Sequence, residues 1–165
     1  MGISIKDDII DAFVYNVKRM TVASGYNYTY SEVSDLPRDV NSLKYSPSVN
    51  IFEGNETCEN ATGNIHQQTG GNQCKMFCSM DVEFDVWIKE INTARKARNK
   101  VLSDFQKYFG LNWIVPDENG IASVFNCMYL SSTPWGEEVN KPITGITIRF
   151  RVWYDYKFTD PTLRG

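Results

Sequence analysis

A strict two-residue alternation in the C-terminal part of the chain limits the possible folds more than any other feature. From Ile143 to Phe158 the sequence reads ITGITIRFRVWYDYKF. Ile146, Ile148, Phe150, Val152, Tyr154, Tyr156 and Phe158 occupy the even positions, and Thr147, Arg149, Arg151, Trp153, Asp155 and Lys157 the odd ones. Side chains alternate across a strand, so this pattern predicts a long antiparallel strand, apolar on one face and largely charged on the other. Asp160-Pro161 stops it. A strand of this kind requires neighbours along its edges and a cover on one side only.

The neighbour is legible at Lys75–Lys89. Met76, Cys78, Met80, Val82, Phe84, Val86 and Ile88 take one face, with Phe77, Ser79, Asp81, Glu83, Asp85 and Trp87 on the other. Pairing the two stretches with their apolar faces on the same side sets Asp81, Glu83 and Asp85 against Arg149, Arg151 and Lys157. These six residues form a candidate interface, facing either their own sheet or a neighbouring subunit.

The cover is supplied by two amphipathic stretches. Ile9, Ile10, Phe13, Val14, Val17 and Met20 recur at helical spacing behind Ser4, Asp7 and Asp8, and Ser24-Gly25 is expected to end that segment. Ala94, Ala97, Val101, Leu102, Phe105, Tyr108 and Phe109 trace a second helix, capped by Asn92-Thr93 and stopped by Gly110. Between the first helix and Lys75, three readings follow. Tyr26, Tyr28 and Tyr30 alternate with polar residues as a strand, and tyrosine-rich faces make good contact surfaces, so they join the candidate interface. SVNIFE is a short strand. Residues 54–72 are a long polar loop. Residues 122–131 read as a further strand and 133–142 as a loop. The expected fold is a single α+β domain over residues 1–165, an antiparallel-dominated sheet with two main helices packed on one face.

Charge and motifs narrow the chemistry. A net charge of -3 gives no general signal for nucleic acid or an anionic membrane. No segment reaches the ~18 apolar residues of a membrane span. The acids of MGISIKDDIIDAF do not suit a signal peptide, so the expectation is a chain made and kept in a cytoplasm, with accidental sequons at Asn27, Asn55 and Asn60. Cys74 and Cys78 lie four residues apart on an expected strand, roughly 13 Å, too far to share one tetrahedral metal. Cys78 and Cys127 read as small core side chains. Cys58 and Cys74 bracket the polar loop and can approach each other, although a reducing compartment disfavours a bond. His66 stands alone in that loop. The cations of ARKARNKVLSDFQK read as a solvated helix face. No phosphate-binding glycine loop or nucleophile motif occurs. The expectation is therefore no catalytic residue, no metal and no cofactor.

The opening helix IKDDIIDAFVYNV, the strand MFCSMDVEFDVWI running into INTARKARNKVLSDF, and the ending ITIRFRVWYDYKFTDPT are similar to the tail terminator (tail completion, minor tail) proteins of long-tailed bacteriophages. The similarity spans nearly the whole chain as pattern and order; residues 54–72 with their cysteine have no counterpart in it. It implies a structural virion protein, a homo-hexameric ring that caps the tail tube, halts its growth and joins tail to head. Its partners would be further copies of itself, the tail tube protein and a head completion or connector protein. DNA would pass through the bore without sequence-specific binding, and no membrane would be involved. The protein would assemble in the host cytoplasm and reside at the head–tail junction of the virion. A head-closure or neck protein of the same particle, or a small ligand-binding domain, are the competing readings.

Overall fold

The computed structural model describes residues 4–36, 46–60, 75–89, 93–136 and 143–157. Two α-helices, α1 (Ile5–Lys18) and α2 (Ala94–Leu111), accompany strands β1 (Glu32–Ser34), β2 (Ser48–Asn60), β3 (Lys75–Lys89), β4 (Asn126–Trp135) and β5 (Ile143–Lys157). The strands form one sheet in the order β1-β2-β3-β5-β4. All neighbours are antiparallel except the short β1–β2 pair. This is the expected α+β architecture.

The two alternating stretches pair in the middle of the sheet, with Phe84 opposite Ile148 and Val82 opposite Phe150. Their apolar positions share one face, and both helices cover it. Phe84 touches Phe13 of α1 and Phe105 and Phe109 of α2. Ile9, Phe13, Val17, Val101, Phe105, Phe84, Ile148, Phe150 and Val152 lose almost all exposure in this layer. Each such side chain contributes about 1.5–3 kcal/mol by leaving water, which fixes the register of β3 against β5 more firmly than any polar contact on the far side.

Helix α1 begins at Ser4, whose hydroxyl accepts from the Lys6 N–H, with Asp7 and Asp8 in the first turn. It ends at Lys18, earlier than Ser24-Gly25; a separate 3₁₀ turn, Val22–Ser24, is the element closed by Gly25 at φ 88°. In α2, Thr93 occupies the cap without a side-chain hydrogen bond, and the helix runs through Gly110 to Leu111.

Three strand expectations change. Residues 26–30 form no strand. The segment is a loop drawn onto α2, as described below. Strand β2 continues through Gly54–Asn60, where a polar loop was expected. Its partner residues on β3 supply the ladder, and a bulge between Glu53 and Glu56 absorbs the irregularity. There a Cβ on Gly54 would lie 3.0 Å from Asp81 Cβ. Strand β4 runs from Asn126 to Trp135, later than residues 122–131, and takes in Pro134, which is tolerated because β4 lies at the sheet edge. The remainder of the expected polar loop, with His66, lies outside the described residues, as does Cys74 beyond it. Among the described residues, no helix is long and apolar enough to cross a membrane.

Candidate functional site

The face of the sheet away from the helices carries most of the candidate interface. Arg151 Nε donates to Asp81 Oδ1 at 2.8 Å and its Nη2 to Oδ2 at 3.2 Å. Arg149 Nε donates to Glu83 Oε1 at 2.8 Å. Asp85 accepts from the Thr147 hydroxyl. The acids and arginines are thus paired across β3 and β5 of one subunit, in register. Lys157 does not extend this ladder. It stands opposite Lys75, away from the three acids.

Aromatic pairs close both ends of the ladder. Phe77 stacks on Phe125 with centroids 5.7 Å apart, and Trp87 meets Trp135 at 4.1 Å. The Trp135 ring crosses Gly145, where a Cβ would sit 2.1 Å from it, so only glycine lets the indole reach Trp87. Ser48 Oγ and Asn50 Oδ1, opposite Trp87 and Asp85, are buried and have no hydrogen-bond partner among the described residues.

The three tyrosines do not form an exposed row. Tyr30 is fully buried, and Tyr26 and Tyr28 are half-buried against the core. The cause is Asp104 of α2, itself 2% exposed. Its carboxylate accepts from the N–H of Asn27 at 2.9 Å and of Tyr28 at 3.2 Å, and from the Tyr30 hydroxyl at 2.9 Å. Burial, and then the Asp104 charge, push the Tyr30 phenol far above its ordinary range. Lys107 adds a bond to Gly25 O at 3.0 Å and lies over the Tyr26 ring. Of the other α2 cations, Arg98 is buried and donates to Thr144 Oγ1 at 2.9 Å, whereas Arg95, Lys96 and Lys100 are exposed.

A second cluster joins α1, β2, β3 and β5. Cys58 is disulfide-bonded to Cys78, its direct partner in the β2–β3 register, with Cα atoms 4.1 Å apart. Cys78 is a buried core side chain, as its strand pattern implied, but it is bonded to Cys58, so the partner of Cys58 is Cys78 rather than Cys74. Cys127 is free and buried, and burial pushes its thiol up to about 12. Glu56 lies beside the sulfurs and accepts from the Tyr154 hydroxyl and from Lys6 Nζ at 3.0 Å. Burial opposes the Glu56 charge, but the bonds from Tyr154 and Lys6 outweigh it and hold the carboxyl below its ordinary value. The three residues are close enough to hold a metal ion, yet the ligand form of cysteine is the thiolate, and these sulfurs are bonded to each other. Nothing in the sequence reveals Asp104, Glu56 or Lys6 as partners, because each acts through a long-range contact.

The described surface also has open grooves. One of about 610 Å³ runs between α1 and the turn at Asp117–Ser123, and one of about 230 Å³ is lined by Asp7, Asp11, Asp35 and Glu53 beside Ile51 and Phe52. In the smaller, burial and then Asp35 raise the Asp11 carboxyl. Strand β4 shows a third kind of surface: Met128, Tyr129 and Leu130 are 53%, 39% and 44% exposed on a strand with no charged residue. No known family model matches the sequence, and no curated protein matches it either.

Proposed function

We propose that this chain is a structural virion protein that caps a phage tail tube as a hexameric ring, stops tube growth and offers the surface on which head and tail join. The observation that carries the reading is an agreement of order. The stretches that resemble tail terminators correspond to α1, β3, α2 and β5, the elements that build the core. Strand β3 leads into α2 and β5 pairs with β3, so the most similar stretches form one packed unit.

A head-to-tail ring needs two different patches on each subunit, and the two sheet edges differ in both length and charge. Its partners are further copies, the tail tube protein and a head completion or connector protein, at the head–tail junction of the virion. DNA passes through the bore without base-specific contacts. The test is electron microscopy of particles assembled without the protein. Overlong or unjoined tails are expected. Normal tails with leaking heads would transfer the protein to head closure, and normal particles would end the reading.

A further inference from the structure

We propose that successive copies of this chain join edge to edge, with β4 of one subunit adding antiparallel to the free edge of β2 in the next. This rests on the ring reading for its head-to-tail sense.

A sheet edge is a row of unpaired backbone donors and acceptors, and natural proteins blunt it with charge, short strands or a cover. Among the described residues strand β4 has none of these over most of its length. It is outermost in the sheet, is ten residues long, contains no charged residue and exposes Met128, Tyr129 and Leu130 in succession. Pro134 limits pairing only near its end. The occupant is fixed by the other edge. Strand β1 pairs with β2 only over Ser48–Asn50, and among the described residues no strand lies against the remainder, Ile51–Asn60. That free stretch equals β4 in length.

Direction agrees as well. Strands β2, β3, β5 and β4 alternate, so rotating one copy beside the next brings β4 antiparallel to β2 with the helices on the same side. Charge selects this joint over self-pairing of β2. The free stretch of β2 carries Glu53, Glu56 and Glu59, of which Lys6 bridges the first two. Two such edges brought together would oppose glutamates, whereas the uncharged β4 meets them without repulsion.

The sign of an introduced charge tests the assignment. In sedimentation of the purified full chain over a concentration series, the wild type assembles. Met128→Glu/Leu130→Glu places acids against the acidic β2 edge and weakens assembly about tenfold or more. Met128→Lys/Leu130→Lys retains or tightens it. Adding Glu53→Lys/Glu59→Lys subunits restores assembly with the Glu variant. The positions on β4 are exposed, so unchanged thermal unfolding separates lost assembly from lost folding. A wild type that stays monomeric at every concentration overturns the proposal. So does equal assembly of both sign variants, and so does equal weakening by both, the mark of a two-fold β4–β4 joint. Particle morphology tests the tail function separately: normal particles without the protein leave a confirmed edge joint intact.

Discussion

Asp104 shows how one buried carboxylate can decide what a whole segment does. Four donors converge on it: the N–H and Nδ2 of Asn27, the N–H of Tyr28 and the hydroxyl of Tyr30. Asp104→Ala leaves a buried hydroxyl and backbone amides unmet, for an expected loss of about 3–4 kcal/mol in urea unfolding. Tyr30→Phe should cost about 1–2 kcal/mol in the native background and almost nothing once Asp104 is gone; equal costs in both backgrounds would show that the hydroxyl and carboxylate are not coupled. Glu56 offers a test by pH. Its carboxyl is held below the ordinary value of 4.5 despite burial, by Tyr154 and Lys6. A carboxyl depressed in the folded state stabilises above its unfolded value, and that stability is lost as pH falls through the folded value. Wild-type stability should therefore fall more steeply below pH ~4.5 than that of Glu56→Gln, and parallel curves from thermal melts at stepped pH would remove Glu56 from the acid response.

The β2–β3 hairpin owes its outer half to a covalent tie as well as to its ladder. Cys58 and Cys78 are 20 residues apart, and closing a loop of that size in the unfolded chain stabilises by about 3 kcal/mol. For a chain of this length, reduction should lower Tm by about 6–12 °C. Cys58→Ala/Cys78→Ala, in a Cys74→Ser background that prevents exchange, should melt at the lower temperature with or without reductant. An unchanged wild-type midpoint in reductant would show that the two sulfurs are not bonded.

The same hairpin marks where sequence patterning stops being informative. Strands β3 and β5 and both helices are buried on one face, so their periods of two and 3.6 were plain. Residues 54–60 of β2 are mostly exposed and carry no such period, so their strand character comes from β3 alone. Tyr26–Tyr30 show the converse, an alternation produced by packing onto Asp104 rather than by a sheet. The candidate ladder was legible because register follows from matching apolar faces. Lys157 was not, because pairing Phe84 with Ile148 sets it opposite Lys75.

In the proposed ring, copies joined edge to edge would place all their helices on one side of a continuous wall and the charged sheet face on the other, and one of these surfaces would line the bore. The helix side exposes Arg95, Lys96 and Lys100. On the sheet side Arg149 and Arg151 are each matched by an acid, and Asp85 remains beyond them. Cations toward the bore would bind phosphates and release counterions, which slows a duplex that has to move through. The sheet face is therefore expected inward and the helices outward. Glu83→Lys/Asp85→Lys leaves Arg149 without the compensating charge of Glu83 and adds two further cations. Rings of this variant should retain duplex DNA, with affinity falling as salt rises by a log–log slope of about -0.9 per phosphate contacted, and particles carrying them should release DNA more slowly. Arg95→Ser/Lys96→Ser/Lys100→Ser should leave release unchanged. Faster release from the helix variant, with no effect of the sheet-face lysines, would put the helices in the bore and turn the wall around.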